Sequence, residues 1–336
     1  MKVKQTSVCC LLPAILLFAG CREAAPVPPG KVEVTFSVLE SDTRTTDTSG
    51  EREVDNWILL LFREGKLTDY GTSASEAPIR RSLETGDYTA FAVVNPPASF
   101  RPDLFTDLPD LLATPSDLRE NSPGRLLMAG NRTLTIPVAD GLPVAIGVDR
   151  LVCKTVIRKI STAFTDPVLA SRTFVLKAVY LTNCYGRSRL GSDLAESETD
   201  AGPSCWYNRM GFHSDAGVDA LLAEREINLT ISEGAPCLQP YTLYGYPNPT
   251  VADSRSGEWS KRHTRLVIEA EIDGRTYYYP VTLPVLQRNN PCVIEEAVIR
   301  KLGSKDPEKD EPGSLEITFG TSVDGWDPEY FVHENS

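Results

Sequence analysis

Side chains able to do chemistry are few in this chain of 336 residues, and their spacing assembles none of the familiar sites. The three histidines, His213, His263 and His333, stand far apart, and none belongs to an HExxH pair. GxSxG, Walker A and GxGxxG are also absent, so no activated water, nucleophile elbow or phosphate cradle can be placed. Glu295 and Glu296 are adjacent carboxylates in a run that reads as strand; neighbours on a strand face opposite sides and cannot act on one bond together. Past Cys21 there are five cysteines, Cys153, Cys184, Cys205, Cys237 and Cys292, with no CxxC and no zinc spacing. An exported chain can form a bridge such as Cys184 with Cys205, but an odd count leaves one over; mostly buried, unpaired thiols are expected, and the pairing stays open. Tyr277, Tyr278 and Tyr279, with Trp206 and Trp259, offer faces on which sugar rings stack, although sandwich cores use the same aromatics. The expectation is a protein that is not an enzyme, with no catalytic residue, no cofactor and no metal.

Two positions invite covalent processing. Lys2 and Lys4 precede an apolar run over residues 8–20, too short to span a bilayer, and Ala19-Gly20 stand directly before Cys21. That arrangement looks like a bacterial lipobox, with Phe18 where Leu is usual; Cys21 is the expected lipidation site, and a lipidated cysteine holds a chain on a membrane. The second position is Arg44, in the middle of ESDTRTTDTSGERE, a polar stretch over residues 40–53 with no apolar face, the kind of exposed loop that proteases cut. Loss of residues 1–20 removes Lys2 and Lys4 and takes the formal charge from −12 to −14. A chain this acidic has no basic surface for phosphate backbones, which argues against nucleic acid as a partner.

The elements that must carry these positions are strands. Residues 21–30 read as an extended Pro- and Ala-rich tether. Val32, Val34, Phe36 and Val38 then alternate with Lys31, Glu33, Thr35 and Ser37, the pattern of a half-buried strand. WILLLF, residues 57–62, suits a strand buried on both faces. REGKLTDYG reads as a turn and return strand, and Tyr88 to Val94 as another. Residues 103–120 fit short helical turns, and RTLTIPV, 132–138, reads as an edge strand because Pro137 cannot donate to a ladder. One sandwich is expected over residues 31–147 and a second over 148–336. The second begins with a long strand over 150–160, then a strand over 173–181 and an exposed excursion over 186–211. A short helix over 214–224, capped by Ser214 or Asp215, precedes strands in INLTI, RLVIEAEI, YYYPV and CVIEEAVIR.

Near the end, LEITFG (315–320) echoes VEVTFS (32–37). Leu315, Ile317 and Phe319 share one strand face as Val32, Val34 and Phe36 do, so the two strands suit the same slot. KDPEKDEPG, residues 305–313, reads as a flexible acidic hinge before the late strand.

Residues 277–326 resemble the carboxyl-terminal part of fimbrillins, the subunits of type V pili. The matching features are the Tyr-Tyr-Pro strand, Arg288-Asn289 before a strand, Gly303 with Asp306-Pro307, and a last strand ending at Trp326. Residues 54–97 are similar to a fimbrillin first domain, through the apolar run, the G-D-Y strand and Val94-Asn95-Pro96. The lipobox followed by Thr43-Arg44-Thr45 is similar too, while Cys292 stands where an aromatic is more usual. The resemblance implies two tandem transthyretin-like Greek-key β-sandwiches in an all-β chain with a few short helices. It also implies an outer-membrane lipoprotein that passes through the lipoprotein export machinery. An arginine-specific protease then cuts between Arg44 and Thr45 and frees the strand bearing Val32, Val34, Phe36 and Val38. Another subunit fills the open groove by β-strand addition with Leu315, Ile317, Phe319, Val323 and Trp326. The product is a fimbrium serving adhesion, with a host protein or glycan as candidate receptor. A lipid-retained fimbrial anchor and a glycan-binding surface lipoprotein are the alternatives.

Overall fold

The run WILLLF sets the layers of the amino-terminal part, because alternate side chains of one strand enter two different cores. The computed structural model describes residues 30–40, 51, 53–137, 142–192, 205–209, 217–253, 261–320 and 331–334. Cys21, Arg44, Thr45, Val323 and Trp326 lie outside the described residues. Strands β1 (Lys31–Glu40), β2 (Trp57–Arg63), β3 (Lys66–Ser73), β4 (Ile79–Glu84) and β5 (Gly86–Val94) are followed by β6 (Pro115–Asp117), β7 (Met128–Ile136) and β8 (Leu142–Arg150). Seven of these form one sheet in the order β3-β2-β5-β7-β8-β1-β4. Trp57, Leu59 and Leu61 point into a core enclosed by that sheet, while Ile58, Leu60 and Phe62 point out of it. Glu64 and Gly65 both have positive φ, the two-residue hairpin turn whose twist matches the β2–β3 ribbon. The sheet curls until its outer strands meet. Gly71 of β3 lies so close to Ile79 and Arg81 of β4 that a Cβ there would clash, and Arg81 pairs with Asp69 at 3.2 Å.

The outer face of β2 and β5 is covered by the connection after β5, where the expected short helical turns form. Helix α1 (Leu108–Ala113) places Leu111, and the turn at Leu118–Glu120 places Leu118, against Leu60 and Val93 in a core shared with the rest of the chain. RTLTIPV differs from expectation. Its strand, β7, starts earlier, at Met128, and lies inside the sheet between β5 and β8, with Pro137 just past its end where no ladder bond is lost.

The carboxyl-terminal part contains β9 (Cys153–Ile157), β10 (Ile160–Thr162), α2 (Pro167–Ala170), β11 (Phe174–Thr182), β12 (Cys184–Tyr185), β13 (Arg187–Arg189) and β14 (Trp206–Tyr207). It continues with α3 (Asp219–Leu222), β15 (Ala223–Glu224), β16 (Leu229–Ile231), β17 (Tyr241–Gly245), β18 (Arg265–Ile272) and β19 (Arg275–Thr282), then β20 (Pro291–Ile299), β21 (Leu315–Gly320) and β22 (Phe331–Glu334). Sheets β17-β9-β20-β21-β22 and β15-β11-β18-β19 face each other across one hydrophobic core. β8 runs on through Gly147 and Val148 to Arg150, so the long strand expected over 150–160 is instead the end of β8 followed by β9 and β10. Of the helix expected over 214–224, the described residues from 217 on hold α3, with Val218 at its amino end and Leu221 and Leu222 buried as foreseen, and Ala223–Glu224 is strand; Ser214 and Asp215 lie outside the described residues. The excursion over 186–211 is anchored at both ends. β13 pairs with β6, β12 pairs with β14, and Ser188, Leu190, Cys205 and Arg209 are buried.

The all-β sandwich with a few short helices is therefore the observed fold. Its two parts share a plan: β1 runs parallel to β8 and antiparallel to β4, and β9 runs parallel to β20 and antiparallel to β17.

Candidate strand-exchange site

The alternation in KVEVTFSVLE has the consequence its pattern demands. Val32, Val34, Phe36 and Val38 are buried, Phe36 completely, while Glu33, Thr35 and Ser37 are half-buried on the other face. β1 is an interior strand. On one side Val34, Phe36 and Val38 stand opposite Leu142, Val144 and Ile146 of β8; on the other, Val32, Val34 and Phe36 stand opposite Leu83, Arg81 and Ile79 of β4. Beneath its apolar face lie Trp57, Leu59, Leu61 and Tyr88. Without β1, the sheet would have two bare edges, on β4 and β8, flanking a trench floored by these side chains.

β21 repeats that pattern in a different setting. Leu315 and Ile317 are buried and Phe319 partly so, all three against the carboxyl-terminal core; β21 lies between β20 and β22. A groove of about 580 Å³ runs beside it, with Leu283, Val285, Leu286 and Cys292 among its walls. Burial pushes the Cys292 thiol up to about 12. The late strand is thus a member of its own sheet and not a spare.

The acidic stretch before β21 is no loose hinge. Ser304 exchanges backbone hydrogen bonds with Tyr278 at 2.8 and 2.9 Å, and Lys305 Nζ donates to the Thr276 carbonyl. Glu308 is buried and accepts from Asn183 Nδ2 at 3.2 Å and from Arg262 at 3.1 Å, while its carbonyl accepts from Arg265. Asp253 holds the other side of the Arg265 guanidinium at 2.8 Å. Residues 303–308 form a strap across β19 and β18. Local composition suggested flexibility, whereas the long-range ion pairs decide the structure.

Sequence reasoning also missed a clamp at the exit of the β1–β2 connection. Glu51 is 2% exposed; its carboxylate lies 2.8 Å from Lys154 Nζ on β9 and accepts from the Tyr244 hydroxyl on β17 at 2.5 Å. Its carbonyl accepts from Arg150 Nε of β8 at 3.2 Å. No local pattern marks a glutamate in a polar stretch as buried. Asn95, inside the Val94-Asn95-Pro96 match, is the neighbouring pin. It is fully buried with φ of 54°, donates Nδ2 to the Glu53 carbonyl at 2.8 Å, and accepts from the Asp55 amide at 2.9 Å.

Tyr277 and Tyr279 turn into the core, and Tyr278 packs on the outer face of β11 and β18 beside Tyr180. Trp206 is buried against Tyr185 at 5.2 Å between ring centroids, and Trp259 lies outside the described residues. Among the described residues, Tyr277, Tyr278, Tyr279 and Trp206 form no exposed stacking platform. Cys153, Cys184, Cys205 and Cys237 are buried and Cys292 partly so, and no disulfide joins Cys184 to Cys205. Glu295 pairs with Arg158 and Glu296 with Lys159, as charges on a strand face do. Among the described residues no cluster of His, Cys, Asp and Glu could hold a metal ion, and no helix is long and apolar enough to cross a membrane.

No family profile and no curated protein sequence matches the chain. Solved structures do. A candidate cell adhesion protein of Bacteroides eggerthii superposes with a TM-score of 0.63 at 18% identity, over 87% of this chain and 96% of that one. A fimbrilin of Porphyromonas gingivalis gives 0.57 at 15% identity, over 84% and 95%. The tip fimbrial protein Mfa3 of the same organism, truncated at its carboxyl terminus, gives 0.51 at 13%, over 90% and 99%. At these identities the likeness is one of fold, and the chain has the β-sandwich fold of fimbrilins over most of its length.

Proposed function

We propose that this chain is the precursor of a fimbrial subunit that assembles by exchanging its first strand for a strand of a neighbour. It is exported as a lipoprotein through Cys21, cut between Arg44 and Thr45, and loses β1. The units are a sandwich over 31–147 and another over 148–336, and the assembled product serves surface adhesion. The observation that carries this reading is that β1, an interior strand with four buried apolar side chains, is held by pairing with β4 and β8 and has as its covalent link to the rest of its sheet the polar stretch that contains Arg44. The four side chains supply about 6–12 kcal/mol of burial, at roughly 1.5–3 kcal/mol each. A chain that loses them has a strong drive to refill the slot.

The donor is the carboxyl-terminal segment, with Leu315, Ile317, Phe319, Val323 and Trp326 taking the places of the β1 residues. Leu315 and Ile317 already have a core of their own, so the exchange trades one buried site for another, as in domain swapping. Support also comes from the fold shared with fimbrilins. The inward-facing tyrosines disfavour the glycan-binding lipoprotein.

Amino-terminal sequencing of surface material tests the reading. Thr45 as the terminus of subunits in SDS-resistant ladders is the expected result. A lipidated monomer that still begins at Cys21 would contradict it and point to a lipid-retained anchor.

A further inference from the structure

A cavity of about 250 Å³ lies on the connection after β5, and none of its lining residues belongs to β1 or β21. Its walls are apolar: Phe100 and Phe105, with ring centroids 5.4 Å apart, Leu104, and the buried Leu127 and Leu190. One carboxylate, that of Glu120, interrupts them. Glu120 Oε2 accepts from the Ser116 hydroxyl at 2.9 Å and from the Asp117 amide at 3.2 Å, the second bond capping the turn at Leu118–Glu120. Behind Ser116 stands the fully buried Tyr246, whose hydroxyl accepts from Asn121 Nδ2 at 2.9 Å and lies 2.6 Å from the Ser116 oxygen. These bonds hold one carboxylate oxygen and orient the group. The other oxygen, Oε1, has no partner among the described residues, and Glu120 forms no ion pair with them.

The neighbouring charges are already matched. Arg101 pairs with Asp103 at 2.8 Å and Arg119 with Asp117 at 2.8 Å, so Glu120 is the unneutralised charge of the cavity. Burial lifts its pKa above the ordinary carboxylate value, against the lowering effect of Ser116 and the Asp117 amide, as befits a charge short of favourable contacts. We propose that the cavity takes the side chain of a lysine on a partner protein, with the ammonium at Glu120 Oε1 and the methylenes along Phe100 and Phe105. Three features select that ligand. A single open oxygen suits a point charge, whereas the planar fork of arginine needs two. Apolar walls suit a hydrocarbon stem, whereas a sugar ring asks for several polar partners, and here the Thr114 hydroxyl is already engaged by the Asp110 carbonyl. A chain with a net charge of −12 draws a basic surface toward it. Occupancy of the cavity does not depend on strand exchange.

The test uses the purified full-length chain and two small probes, Nα-acetyl-lysine methylamide and Nα-acetyl-norleucine methylamide, the second with a similar stem and no ammonium. Backbone amide shifts are followed by NMR as each is added. The lysine probe should bind with a Kd of about 1–10 mM, the range open to a single side chain, and should move amides within residues 99–105 and 114–120. The norleucine probe should bind about tenfold more weakly or worse, and so should the lysine probe against Glu120→Gln, which keeps an acceptor oxygen for the turn and removes the charge. Should Glu120→Gln move amides throughout the chain, it has lost its fold, and the two probes on the unaltered chain decide. Equal affinity for the two probes, shifts confined to other residues, or no shift at about 50 mM of the lysine probe would overturn the proposal. Tighter binding of glucosamine than of the lysine probe would overturn the choice of a protein side chain.

Discussion

Phe36 of β1 stands in register with Val144 of β8, both buried, on strands that run parallel. A parallel pair cannot be joined by a tight hairpin, so β1 reaches its place from a distant part of the chain and is held there by ladder bonds and burial alone. A strand of another molecule meets the same requirements. The slot asks for alternating apolar side chains and a free backbone edge, and for nothing that only the covalently attached strand can supply.

Truncation of Phe36 should therefore matter in one state and not in the other. Phe36→Ala leaves a large cavity in the enclosed core and should lower the stability of the uncut chain by about 3–5 kcal/mol. In assembled material from which β1 has gone, the same substitution should be silent. Denaturant midpoints of uncut Phe36→Ala and unaltered chain check the first half, and equal midpoints would mean that β1 is not packed as described.

Strands with clean periodicity were legible. KVEVTFSVLE, WILLLF and RLVIEAEI fall within a residue or two of their observed bounds, because burial on one or both faces is written in their side chains. β4, with the sequence IRRSLE, was missed; only Ile79 and Leu83 face the core, and two arginines between them hide the alternation. The Glu51 clamp and the Glu308 strap were illegible for another reason. Each is a polar residue in a polar stretch, buried by partners distant in the chain: Lys154 and Tyr244 for Glu51, and Asn183, Arg262 and Arg265 for Glu308.

Removal of the strap's carboxylate should be costly. Glu308→Ala leaves the guanidinium groups of Arg262 and Arg265, the latter 5% exposed, without their shared partner. The expected loss is about 3–5 kcal/mol, the range for breaking one side of a buried ion pair. Adding Arg262→Met should restore part of it. Thermal unfolding of the single and double variants measures both, and an unaltered melting temperature for Glu308→Ala would show that the strap is not fastened there.

The five mature thiols should react only after unfolding. Cys153, Cys184, Cys205 and Cys237 are buried, and burial pushes Cys292 up to about 12, so little thiolate exists at pH 8. Iodoacetamide with no reductant should add to none of these cysteines in the native chain and to all five in denaturant. Fewer than five adducts after unfolding would reveal a disulfide.

Glu269 on β18 offers a pH signature. Burial raises its pKa above the ordinary value, against the lowering effect of Arg225 and Lys177. A carboxyl whose folded pKa is raised favours folding while protonated, below its unfolded pKa of about 4.3, and that contribution is lost as pH rises through the folded pKa. Glu269→Gln should therefore melt higher than the unaltered chain at pH 7, with the gap closing toward pH 4. A gap that widens on acidification would reverse the sign of the argument.

The vacated slot itself is tested most directly by competition. The purified full-length chain is cut with an arginine-specific protease, and its mass is followed by light scattering with and without an excess of a synthetic peptide of residues 31–40. Oligomers should form after cutting and should be suppressed by the peptide, which reoccupies the place between β4 and β8. Oligomers that grow unhindered in the presence of the peptide, with every subunit still retaining its own residues 31–40, would contradict the account.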